Sequence, residues 1–270
     1  MSRAKLGAWI ISIVFVVLLL FPLYIMFKIS VSAPHDVFRE SPPYFIENFT
    51  WQHFRNVLAS GEAFYAPLSK SFITAIAATF LSLLIAVPAA YGISRFDVKL
   101  RYILILIIFM SRMVPEVSIA LPISITFIRM GLFDTTLGLV LAHLIRILPV
   151  SCFILVSVFG EFPLSLERQA RIDGYSRIGA IRKVVLPLSL TGLVVAGLFS
   201  FILSWDEFIY ASYLTLAEPT MPIKMYYYIS RGNIFSSATY AVIITIPVLI
   251  ITFSLQRYIK PEYLSGSVKG

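Results

Sequence analysis

The run from Leu6 to Phe27 is apolar for about 22 residues, enough for one helix to cross the hydrocarbon core of a bilayer. Comparable runs follow at Leu68 to Ile93, Tyr102 to about Ile128, Leu137 to Phe159, Pro187 to Leu203 and Thr239 to Leu255. Lipid offers no hydrogen bonds to a bare backbone, so apolar runs of this length imply helices. The expectation is therefore an all-α, polytopic membrane protein with six transmembrane helices. Apolar residues make up 59% of the chain and charged residues 13%, against roughly half and a quarter in soluble domains. A signal peptide is the alternative reading of the first run. It is disfavoured by the length of the run and by the lack of a small-residue cleavage site after it.

The net charge of +8 could suggest nucleic acid, but the basic residues lie between apolar runs and form no single patch. Their distribution fits the positive-inside rule better. Thirteen of the 22 Lys and Arg fall on the N-terminus, the turn containing Arg95, the polar stretch 161–188 and the C-terminal tail. Seven fall on the opposite set of segments, and Arg112 and Arg146 lie within spans. Both termini are thus expected in the cytoplasm of a multi-pass cell-membrane protein. Cys152 is the single cysteine, which excludes an internal disulfide and a Cys-based metal cluster. The chain divides into residues 1–67 (first span plus an extracytoplasmic interfacial segment), a five-span core at 68–258, and a tail at 259–270. Residues 29–69 carry four prolines and many aromatics, and read as short interfacial helices, with Trp51 to Leu58 amphipathic enough to be one. Asn48-Phe49-Thr50 fits a glycosylation sequon, a match common by chance. His35 and His53 read as exposed loop residues rather than ligands, because no second ligand lies at metal spacing.

The one long polar interruption is Glu161 to Leu188, with five basic and three acidic side chains. It reads as two short helices around a glycine. Ser165 can cap the first, and Glu167 and Arg171 can pair four residues apart. Gly174 suits a left-handed C-terminal position, and Ser176 can start the second helix. A solvated cytoplasmic loop is the plain alternative. Within the spans, Arg112 and Glu116 are four apart on one face. Ionisable groups at membrane depth face a bundle interior or a wet path, so this pair is either structural or part of a pathway. Pro115 and Pro122 are expected to break the third span locally. Trp205, Asp206, Glu207 and Tyr210 offer aromatic faces and acids of the kind that bind sugars. The alternative is an interfacial aromatic belt.

Ala170-Arg171-Ile172-Asp173-Gly174, followed by Val184, Leu186 and Pro187, resembles the EAA motif of ATP-binding-cassette importer permeases. Only the last Ala of the Glu-Ala-Ala opening matches, at Ala170, and the Glu stands one residue early, at Glu167. Ala89 to Phe96, Gly131 to Thr135, Trp205-Asp206-Glu207-Phe208 and the ending Ser265 to Gly270 are similar to stretches of the carbohydrate-importer, maltose-type branch. The resemblance implies a type I importer permease fold with a coupling helix at 161–185. Glu167, Ala170, Arg171, Asp173, Gly174, Leu186 and Pro187 would engage a partner ATPase, and Ser267 and Lys269 would touch it from the tail. Arg112, Glu116, Trp205, Asp206, Glu207 and Tyr210 would line the substrate pathway. It implies a second homologous permease, two ATPase subunits that bind ATP and magnesium, and an extracytoplasmic solute-binding protein. The chain itself has no G-x-x-x-x-G-K-[ST] loop and no catalytic or metal constellation, so no cofactor or enzymatic activity of its own is expected. A di- or oligosaccharide such as trehalose or maltose is the implied cargo, with glycerol phosphate or a polyamine as alternatives. A stand-alone secondary transporter is disfavoured, because no paired halves are visible in the sequence.

Overall fold

In the computed structural model, residues 3–259 are described, so Ser267 and Lys269 lie outside the described residues. In chain order the helices are α1 (Arg3–Val31), α2 (Pro34–Val37), α3 (Gln52–Leu58), α4 (Glu62–Ser94) and α5 (Val98–Met110). Next come α6 (Glu116–Arg129), α7 (Thr136–Glu161), α8 (Leu164–Ile172), α9 (Arg177–Ala180) and α10 (Leu186–Leu188). The chain continues with α11 (Leu190–Trp205), α12 (Ile209–Leu214), α13 (Met221–Ser230) and α14 (Ile234–Ile259). Among the described residues the only β pairing is an isolated bridge between Ser32 and Phe49. Helices α1, α4, α7 and α14 are each long and apolar enough to cross a membrane. Two bent pairs, α5 with α6 and the segment Arg177–Leu188 with α11, bring the total to six if each pair is one span.

Two compact units result. The first comprises the chain up to Pro67 together with Met221–Pro247. Its α1 is apolar on every side and exposes residues such as Trp9, Phe15 and Leu18 at 63–67%. A helix apolar all round is one that spans a membrane or is buried against other protein. After α1 the chain doubles back. Thr50 N–H donates to Val31 O (2.7 Å) and Ala33 N–H to Asn48 O (3.0 Å). Asp36, buried, accepts from the Asn48 side-chain amide at both oxygens (3.1 and 2.9 Å) and from its backbone N–H (3.2 Å). The sequon Asn48 is thus committed to a carboxylate. His53 stacks on Phe235 with ring centroids 4.5 Å apart and lies 3.0 Å from Ser32 O. It packs as a loop-locking ring.

The second unit comprises Leu68–Thr220 and the chain from Val248 onward. Its core is α7 packed between α4 and α11, with Ala86, Ala90, Leu155, Val156, Phe159 and Ala196 buried together. Small residues let the helices approach closely. A Cβ on Gly192 would stand 2.4 Å from Val158 Cγ2. A chain of hydroxyls links the three helices: Ser82 Oγ to Ser151 Oγ at 2.9 Å, and Ser151 Oγ to Ser200 Oγ at 2.8 Å.

Several element boundaries differ from the sequence reading. Helix α4 begins at Glu62, before Pro67, because Gly61 (φ +59°) turns the chain and Glu62 favours the positive end of the helix dipole. The third span is not one helix with local breaks. It bends by 83° between α5 and α6, where Val114 and Pro115 are extended. Pro122 lies inside α6, which continues through it. The fifth span bends by 75° at Ser189, two residues after Pro187. Helix α14 starts at Ile234, ahead of the expected Thr239, with the Asn233 side chain accepting from Ser236 N–H (3.0 Å).

Candidate functional site

Two constellations stand out, both in the second unit. The first is the helix–turn–helix from Leu164 to Ala180. The cap of α8 is Pro163, with Ser165 inside the helix and making no cap bond. This corrects the expected Ser165 cap: Pro163 already supplies a fixed φ and a carbonyl that accepts from Leu166 N–H (3.2 Å). Asp173 is the C-cap, and Gly174 takes φ +90° with open space around it. An L side chain rarely adopts that φ, so the turn demands glycine. Ser176 caps α9, its hydroxyl accepting from Gly179 N–H (3.1 Å).

Glu167 does not pair with Arg171. It is buried, and its carboxylate accepts from Arg95 Nη2 at 2.8 Å and from the Tyr91 hydroxyl. Arg95 also donates to Phe159 O (2.9 Å), and its guanidinium lies 4.6 Å from the centre of the Tyr91 ring. A buried carboxylate needs a cation close by, and the end of α4 supplies one where the next turn of α8 would leave it in water. Ala170 is buried beneath the same helix. Every residue from Arg171 to Ile178 is exposed, with Ile172 at 84% and Ile178 at 64%. The result is a protrusion with an apolar tip and basic flanks, clamped at its base to α4. Leu186 and Pro187 lie in α10, just before the 75° bend into α11.

The second constellation surrounds the break in the third span. Arg112 Nη1 lies 3.2 Å from Glu116 Oε1 and donates to Arg146 O (3.1 Å). Arg146 reaches Glu116 (3.7 Å) and Asp206 (3.8 Å). Extended backbone at Val114 and Pro115 interrupts the helix, yet the pair across it is kept. Behind this cluster lies a buried one. Glu207 accepts from Tyr210 N–H (2.7 Å) and Ala211 N–H (3.0 Å), capping α12, and lies 3.2 Å from His143 Nε2. His143 Nδ1 is 2.7 Å from Ser204 Oγ. Trp205, Glu207 and Tyr210 are all buried, while the Asp206 side chain is 53% exposed. Of the four residues singled out at this turn, only Asp206 reaches an open face. The Tyr210 hydroxyl is buried with no hydrogen-bond partner among the described residues. Sequence reasoning passed over the role of His143. The signal available was a histidine inside an apolar run, three residues before Arg146.

A further tie lies at the turn before α7. Asp134, at φ +59°, accepts from Leu216 N–H (2.9 Å) and Ala217 N–H (3.0 Å), with Lys70 at 3.9 Å. Partial burial pushes its carboxyl up, but those two amides and Lys70 outweigh this and hold it below the usual aspartate value.

Bent apolar spans, a charged cluster at a span break and a helix–turn–helix standing clear of the bundle define a membrane transport component. The chain belongs to the family of binding-protein-dependent transport system inner membrane components, which matches residues 78–264. It is 30% identical over 227 residues to a trehalose transport system permease, SugB, of Mycobacterium tuberculosis, covering 82% of each chain. It is 29% identical to a trehalose/maltose transport system permease, MalG, of Thermococcus litoralis, over 96% of this chain and 95% of that one. A diacetylchitobiose uptake system permease, DasC, of Streptomyces coelicolor is 27% identical over the full length of both. Among solved structures, a bacterial transporter that imports the acidic polysaccharide alginate aligns with a TM-score of 0.76. That alignment has 20% identity and covers 96% of this chain and 99% of that one. It is a likeness of fold.

Proposed function

We propose that the chain is a permease subunit of an ATP-driven, binding-protein-dependent sugar importer, and that the 164–180 protrusion transmits work from a separate ATPase. The observation that carries this reading is the clamp at Glu167. An apolar tip held by a buried ion pair to the end of a span cannot move without moving that span. A partner that closes around Ile172 and Ile178 would therefore rotate α4 and its neighbours as a rigid body. Asp173 and Gly174 set the shape of the tip, Arg171 flanks it, and Leu186 and Pro187 set how the segment enters α11. On this reading the protrusion, both termini and the Ser267 and Lys269 tail face the cytoplasm. A second permease would complete the pathway, and ATP and magnesium would be bound by the ATPase subunits.

The cluster of Arg112, Glu116, Arg146 and Asp206 is the proposed pathway surface. It contains two cations and two anions already paired with one another. A phosphate cargo would require free arginine, so this balance favours a neutral, hydroxyl-rich solute over glycerol phosphate or a polyamine. The trehalose and maltose names of the relatives agree. Trp205, Glu207 and Tyr210 would then support the surface from behind.

The test is the assembled complex. Gly174→Asp or Asp173→Lys should leave membrane insertion intact and abolish solute-stimulated ATP hydrolysis. Full coupling in both variants would remove the transmitting role.

A further inference from the structure

The loop between α1 and α3 carries an arrangement to which the proposed transport function assigns no role. Its tip, Ser41-Pro42-Pro43-Tyr44-Phe45, folds back along the end of α1. Lys28 Nζ donates to Pro43 O, and the Tyr24 hydroxyl donates to Tyr44 O (2.9 Å). Tyr24 lies four residues before Lys28, so the tip reaches about 6 Å back along the helix at 1.5 Å per residue. That stretch of α1 is flanked by exposed Phe21, Leu23 and Phe27 at 41–55%. It belongs to the run from Trp9 to Val31 that is apolar enough to span a bilayer. At the tip, Tyr44 is 83% exposed and Phe45 78%.

Irregular backbone is excluded from lipid because unpaired N–H and C=O groups are costly there. This tip lowers that cost in two ways. Pro42 and Pro43 have no N–H to satisfy, and the carbonyls of Pro43 and Tyr44 are taken by α1 itself. Lys28 is buried, its ammonium turned onto the loop rather than toward water. Two of the tip's carbonyls thus face α1, while its two aromatic residues are exposed.

We propose that residues 41–45 form a lipid anchor, with Tyr44 and Phe45 inserted at the headgroup–acyl boundary of the leaflet that meets the C-terminal end of α1. The occupant is phospholipid, because the tip continues the exposed apolar surface of α1, a helix long and apolar enough to span a bilayer, and aromatic rings favour that depth. The anchor would hold the 32–50 loop, locked by Asp36 and Asn48, against the membrane plane.

The test uses the full chain, purified with its co-expressed subunits, in phosphatidylcholine–phosphatidylglycerol nanodiscs. A nitroxide is placed at Phe45→Cys in a Cys152→Ala background, with Glu47→Cys as the aqueous reference. The ratio of oxygen to nickel-chelate collision rates at position 45 should exceed that at 47 severalfold, and Tyr24→Phe should lower it. Equal ratios at 45 and 47 would place the tip in water and overturn the proposal. Low collision rates with both reagents would place it under protein and overturn it equally. As an independent readout, the emission added by Phe45→Trp should be quenched by lipids brominated near the top of the acyl chain. Failure to quench would count against insertion even if the spin-labelled variant misfolds. Neither measurement depends on solute or ATP, so the anchor can fail while the transport reading stands.

Discussion

Replacing Arg95 with Met, Glu167 with Met, and both together tests whether the protrusion is clamped as described. The side chains are 14% and 11% exposed and 2.8 Å apart. Removing one partner of a buried pair costs about 3–5 kcal/mol, chiefly because the other charge is left stranded. Residual access to water places each single variant near the low end, about 3 kcal/mol. The double variant strands no charge. It loses the bonds to Tyr91 and Phe159, worth about 1 kcal/mol each net. It should therefore cost about 2–3 kcal/mol, where simple addition would give about 6, a coupling of about 3 kcal/mol. Reversible unfolding in mixed detergent–SDS micelles reads all four corners of the cycle. Hydrogen exchange of the α8 amides should rise in both single variants and fall back in the double. If the single costs simply add, Glu167 and Arg95 are neighbours without a shared energy, and the clamp is not what fixes the protrusion.

Other consequences are open to direct measurement. Gly192→Ala forces a methyl to within 2.4 Å of Val158 and should cost about 1–3 kcal/mol, with Val158→Ala recovering most of it in the same unfolding assay. Gly174→Ala should cost about 1–2 kcal/mol for the left-handed backbone alone, and Gly174→Asn less, measured as loss of α8 exchange protection. Glu207→Ala leaves the Tyr210 and Ala211 amides without their acceptor and His143 Nε2 without its carboxylate and should cost about 3 kcal/mol or more, whereas Glu207→Gln should keep part of the cap. Asp134 is held below its ordinary value of 3.8 in the folded chain. Its contribution is therefore complete above about pH 4 and lost as the pH falls through the lowered folded value. Protection of the Leu216 and Ala217 amides should follow that course, and Asp134→Asn should abolish the acid-dependent part.

The spans were legible because length and apolarity decide them almost alone. Their ends were less so: Glu62 and Ile234 open helices with polar or small residues that read as loop. The turn at Gly174 was visible, since few residues tolerate its geometry. The partner of Glu167 was not. Spacing within α8 pointed to Arg171, while burial selected Arg95, 72 positions earlier, and no periodicity links residues that far apart. The orientation of the aromatic, acid-rich turn at Trp205 was hidden in a related way. Its residue types suit a sugar, but three of its four side chains turn inward, and only packing decides which way a side chain points. The hint for the buried pair was His143 itself, too polar for its surroundings unless a partner such as Glu207 waited across the bundle.

The three serine hydroxyls that join α4, α7 and α11 limit where motion can occur. Sliding any of these helices past another would break at least one of these links, leaving Ser151 and Ser200 only the Ile147 and Ala196 carbonyls of their own helices. The three should travel as one stiff plate. Flexing is then left to the joints at Pro115 and Ser189, where the chain already bends by 83° and 75°.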